Sequence, residues 1–193
     1  SFFDWMVDRA IKEGNFDGSI ALTCPLNYDG KIKTLNNQDM LYTVIQRGFR
    51  GEEEIFETDI LSVFSKVFNY NVEWDTFMNI AEMESLDVVI SNTTEAGLAY
   101  KKVELENVSE DGLYPGKLTA FLMHRFEVLG NISKKLLIFP CELVAENGRV
   151  LQTKSAHPLH VFAKIYKSAE TAFAKLLISW YDRSAVCFSI VKR

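Results

Sequence analysis

Two short aliphatic runs, "LDVVI" at 86–90 and "KLLIF" at 135–139, constrain this chain most. Each is long enough for one strand. Neither shows the strict polar alternation of a strand with one wet face, so each belongs in a sheet covered on both sides. Between them, "PGKLTAFLMHRFEVLG" at 115–130 places Leu118, Phe121, Leu122, Phe126 and Leu129 on one helical face. A helix of that length serves as a right-handed crossover, and strands joined in that way are parallel. The two carboxyl ends then point the same way. An α/β fold with a mainly parallel sheet and flanking helices follows.

The other segments fit this frame. "SFFDWMVDRAIKEG" has the spacing of a helix that ends at Gly14 or Gly18, and "SIALTCP" at 19–25 reads as a strand closed by Pro25. "LYTVIQRGF" at 41–49 alternates as a strand does. Residues 53–68 read as a strand followed by an irregular stretch, and "EWDTFMNIAEME" at 73–84 as a helix. After Asn147 and Gly148 the pattern is mostly helical to about residue 182.

Composition narrows the function classes. With 193 residues, 48% of them hydrophobic, the chain can bury a sizeable core. The net charge of -5 offers nothing to neutralise phosphates, so no nucleic-acid partner is expected. No apolar run approaches the ~20 residues of a membrane span, and no basic-then-apolar leader opens the sequence. Cys24, Cys141 and Cys187 are an odd and scattered set, which suits reduced thiols in a cytoplasmic protein.

The polar residues that follow the two aliphatic runs are the candidates for chemistry. Ligands of parallel sheets bind at the carboxyl ends of strands. "SNTTE" at 91–95 and "PCE" at 140–142 would both emerge there. The competing reading is structural: Thr93 and Thr94 cap a helix and Glu95 complements its dipole. Cys141 follows a strand as a nucleophile would, but no histidine is tied to it by sequence. His157 and His160 in "HPLH" share helical spacing, yet Pro158 and the lack of a third ligand favour surface histidines, and no metal site is expected. "GEEEIFE" at 51–57 reads as a solvated hairpin. No G-x-S-x-G, C-x-x-C, G-x-G-x-x-G or G-x-x-x-x-G-K pattern occurs.

The motif order resembles the mannitol dehydrogenase family of long-chain polyol and hexuronate dehydrogenases, and within it the tagaturonate reductase (altronate oxidoreductase) branch. The resemblance rests on "FFDWMVDRA" (2–10), "LNNQDMLYTVIQRG" (35–48), "SNTTEAG" (91–97), "KLTAFLMHRF" (117–126) and "PCELVAENG" (140–148). It implies a Rossmann-like NAD-binding domain over residues 1–150 that lacks the first strand and the glycine-rich turn. Residues 151–193 would form its mostly helical end, leading to a C-terminal substrate domain absent from this chain. The catalytic lysine would come from that absent domain, so this chain alone is expected to be inactive.

The resemblance also implies roles. Asp29 matches an acidic residue facing the adenosine ribose, with a plain turn Asp in "NYDG" as the alternative. Asn92, Thr93, Thr94 and Glu95 match the turn near the nicotinamide side of NAD, while Cys141, Glu142 and Asn147 match the turn bordering a sugar-acid substrate. Asn147 has helix capping as its alternative. Leu143 stands where polyol dehydrogenases place an asparagine, as the hexuronate branch does. Phe188 and Lys192 replace an Asn and an Asp of the family pattern. The implied reaction is reversible hydride transfer between NADH and a keto hexuronate (D-tagaturonate/D-altronate). Two alternatives stand beside it: a non-catalytic α/β module that binds a nucleotide or a partner, and a mannitol- or fructuronate-branch dehydrogenase.

Overall fold

The structure, a computed structural model, describes residues 2–25, 29–93, 95–99, 101–130, 136–163 and 190–191. They form two compact units, residues 1–69 with 190–193 and residues 70–189.

The first unit begins with helix α1 (Phe2–Lys12), with Asp4 in its first turn and Arg9 and Lys12 in its last, where each charge complements the helix dipole. Strand β1 (Ser19–Thr23) leads to helix α2 (Asp29–Asn37). Strands β2 (Tyr42–Arg50) and β3 (Glu53–Leu61) pair antiparallel, with Tyr42 opposite Leu61 and Arg50 opposite Glu53. The two-residue connection needs a positive φ, which Gly51 supplies at 68°. Strand β4 (Phe64–Phe68) then pairs parallel to β1. The two residues of β7 (Ile190–Val191) pair antiparallel with the start of β1.

The core of this unit is Val7, Ile20, Ala21, Leu61, Val63, Phe64, Val67 and Phe68. Tyr42 stacks on Phe64 with ring centroids 5.6 Å apart and donates its hydroxyl to the buried Asp4 carboxylate. Burial, reinforced by Asp4, pushes the Tyr42 hydroxyl pKa far above its ordinary value. Lys12 ties α1 to β3 through ion pairs with Asp8 (2.7 Å) and Asp59 (2.8 Å).

Residues 53–68 thus form two strands, where one strand and an irregular stretch are expected from the sequence. Polar Ser65 and Lys66, both exposed, interrupt the apolar pattern of β4. Helix α2 replaces the turn reading of "NYDG", with Asp29 as its first residue.

The second unit carries the element order expected for a crossover. Helix α3 (Trp74–Ala81) precedes β5 (Leu86–Ser91). Two short 3-10 turns, Glu95–Leu98 and Leu105–Asn107, and the four-residue helix α4 (Val108–Asp111) follow. Helix α5 (Tyr114–Leu129) then leads to β6 (Leu137–Pro140) and helix α6 (Asn147–Ala163). Strands β5 and β6 are parallel, with Val88 opposite Leu137 and Ser91 opposite Pro140. The expected helical stretch is described as far as Ala163; residues 164–189, with the atypical Phe188, lie outside the described residues, as does Lys192.

Helix α5 is pinned from inside. Phe121 packs on Phe77 at 4.7 Å between centroids, and Phe77 in turn meets Tyr70 and Trp74 at 5.3 Å each. Burial pushes the Tyr70 hydroxyl up to about 12. Lys117, Thr119 and Arg125 of "KLTAFLMHRF" are internal struts. Lys117 donates to Asn71 Oδ1 and to the Ser109 carbonyl (2.8 Å), with the Tyr70 ring 5.0 Å away, and burial lowers its pKa. Thr119 donates to the carbonyls of Pro115 and Ser155, joining α5 to α6.

Candidate functional site

Parallel pairing brings the two polar turns to one edge of the β5–β6 pair. At that edge the Cys141 N–H donates to the Ser91 carbonyl at 2.7 Å, extending the strand pairing by one bond. Glu142 then turns inward and is only 3% exposed. Its Oε1 accepts both the backbone N–H and the hydroxyl of Thr93, each at 3.1 Å. Two donors from one residue thus converge on a single acceptor oxygen. Two segments 49 residues apart in sequence are thereby joined.

The second turn is closed by Asn147. Its side-chain amide donates back to the carbonyls of Pro140 (2.7 Å) and Glu142 (3.0 Å). This serves the turn before α6, and neither bond caps the helix's own amides. Leu143, at the tip, is 93% exposed.

Asn92 and Glu95 are exposed, and Glu95 opens the 3-10 turn that follows. Thr93 is half-buried and donates its hydroxyl to Glu142. Thr94 lies outside the described residues. Gly97 makes this fold-back possible: a Cβ on it would stand 2.7 Å from the Thr93 Cβ. That close approach, and the burial of Ser91, escape a reading of the sequence by residue type; the glycine two residues after Glu95 is the only signal.

Cys141 is half-buried, with its Sγ 3.6 Å from the Phe139 carbonyl. Burial first, and the neighbouring Glu142 charge second, push its thiol up. Both disfavour a thiolate, so this position does not suit a nucleophile.

Asp29 stands at the start of α2, beyond the carboxyl end of β1, in the first unit. His157 and His160 fall on α6, with side chains outside those described. Among the described residues no cluster of three or more His, Cys, Asp or Glu could hold a metal ion, and no helix is long and apolar enough to cross a membrane.

No protein-family model matches the chain. Its sequence is similar to the altronate oxidoreductases of Halalkalibacterium halodurans and Bacillus subtilis, at 32% identity in each case over 100% of the chain, covering 36% and 38% of those proteins. The altronate oxidoreductase of Bacteroides thetaiotaomicron is 38% identical over 79% of the chain and 32% of its own length. Among solved structures, the fold is similar to Pseudomonas fluorescens mannitol 2-dehydrogenase in its ternary complex with NAD and D-mannitol, with a TM-score of 0.64 at 18% identity over 84% of this chain and 36% of that one. It is also similar to a substrate-free D-sorbitol dehydrogenase, with a TM-score of 0.56 at 13% identity over 88% and 34% of the two chains. The Rossmann-like fold implied by the motifs is therefore the observed one, and the chain is related in sequence to the altronate oxidoreductases, spanning little more than a third of the length of the curated proteins it matches.

Proposed function

We propose that this chain is the NAD-binding part of an oxidoreductase that transfers hydride reversibly between NADH and a keto hexuronate, D-tagaturonate with D-altronate as its reduced partner. The observation that carries the reading is the union of "SNTTEAG" and "PCEL" at one strand edge, through the Thr93–Glu142 bonds. Residues 1–150 would supply the cofactor domain, and the catalytic lysine would come from a substrate domain outside this chain.

The residues suit a dinucleotide. Exposed Asn92 and Glu95 offer a donor–acceptor amide and an acceptor carboxylate beyond the carboxyl end of β5. NAD, when bound, supplies or accepts the hydride. The chain's own part is to hold and orient. Asn92, Thr93, Thr94 and Glu95 would line the nicotinamide side, and the Cys141–Asn147 turn would border the sugar acid. An Asp29 carboxylate near the ribose would accept from both hydroxyls and repel a 2′-phosphate. The absence of an asparagine at Leu143 favours a hexuronate over a polyol.

The test is cofactor choice and turnover in the protein that carries this chain. It is expected to oxidise NADH with tagaturonate and to prefer NADH over NADPH. Asp29→Ala should weaken NADH binding and narrow that preference by about tenfold, the equivalent of one lost charge–charge discrimination of ~1.4 kcal/mol. An unchanged NADH/NADPH ratio would remove Asp29 from the site. Steady reduction of fructose or fructuronate but not of tagaturonate would move the protein to the mannitol or fructuronate branch.

A further inference from the structure

We propose that Glu142 is a positioning residue: it fixes the backbone at Thr93, just beyond β5, and does not itself contact the sugar acid. This rests on the reading above for its functional consequence, but its geometry stands alone. The Glu142 carboxylate is buried, and one oxygen is spent on two Thr93 donors at 3.1 Å. The other oxygen is also sealed from solvent and takes no donor among the described residues. No face of the carboxylate is therefore presented to a ligand. The residue is itself anchored, because Asn147 holds its carbonyl at 3.0 Å and the Cys141 N–H before it is bonded to Ser91.

The held segment is clamped from its far side too. Gly97 brings its backbone so near Thr93 that any Cβ would overlap that side chain. Thr93 is thus held by Glu142 on one side and closely approached by Gly97 on the other. Glu95, exposed between these two points, receives its position from them. A carboxylate is an acceptor only, and the lock needs an acceptor, not a charge. Glutamine can present a carbonyl oxygen to the same two donors, and alanine cannot.

Amide hydrogen exchange of Thr93, in the protein without cofactor, reads the lock directly. Glu142→Ala should speed Thr93 exchange by about tenfold, the factor that the loss of one hydrogen bond corresponds to. Glu142→Gln should retain most of the protection. If Glu142→Ala does not fold, Thr93→Val keeps the question open to experiment: it removes only the hydroxyl donor and should speed exchange at Asn92 and Glu95 several-fold, as Gly97→Ala should. In the protein that carries this chain, Glu142→Ala should weaken NADH, Glu142→Gln should recover most of that affinity, and Thr93→Val should weaken NADH. Unaltered Thr93 exchange in Glu142→Ala overturns the lock. Wild-type exchange in Glu142→Gln together with a changed keto-acid KM overturns the positioning role in favour of direct contact. Failure of NADH to bind at all would count against the proposed function, while the exchange data would still decide the lock.

Discussion

Arg125→Ala is expected to cost roughly 3 kcal/mol or more of unfolding free energy, at about 1–3 kcal/mol for each buried acceptor left without a donor. Arg125 is 6% exposed in the middle of α5. Its Nη1 donates to the carbonyls of Ala81 and Met83, both at 2.7 Å, and Nη2 to that of Leu86 at 3.4 Å. These carbonyls lie at the end of α3, in the turn after it and at the first residue of β5, and that of Met83 also accepts the Leu86 N–H at 3.1 Å. One planar group thus closes the α3–β5 connection. Burial lowers the guanidinium's pKa, and Asp87 and Glu84 oppose that shift. Lysine would recover only part of the loss, because a point charge does not reproduce a fork of fixed geometry. Urea denaturation checks this; an alanine variant within about 0.5 kcal/mol of wild type would match an ordinary surface substitution and would refute the strut.

Phe121→Ala should be comparably severe, at about 3–5 kcal/mol. The ring is 2% exposed and lies against Phe77, which joins it to Tyr70 and Trp74. Truncation removes the contact that seats α5 on α3 and leaves a cavity among aromatic rings that cannot collapse into it. Phe121→Leu retains most of the volume and should cost under about 1.5 kcal/mol. Equal losses for the two variants, again by denaturant midpoint, would show that volume at this position is not what holds the helix.

The parallel β5–β6 pair was legible because burial on both faces leaves a run of aliphatic residues, and the long apolar face of α5 fixed the crossover. Strand β4 was harder, since Ser65 and Lys66 sit exposed within a five-residue strand. Helix α2 was not read, because "DGKIKTLNN" is mostly polar and gives little apolar periodicity. Parallel pairing of the two aliphatic runs already implied that the polar turns after them emerge at one edge. The internal wiring did not show: nothing local in "PCEL" indicates that Glu142 faces inward to a threonine 49 residues earlier. Likewise Lys117 and Arg125 look like the solvated face of a helix in sequence, and are its buried struts.

Backbone amide shifts on titration with NADH test most directly whether the β5–β6 edge is a cofactor site. The expected result is saturable movement of the amides of Asn92, Thr93, Glu95 and Ala96 beyond β5, and weaker movement with NADPH. No shift at residues 92–96, or shifts confined to the β2–β3 hairpin, would contradict it.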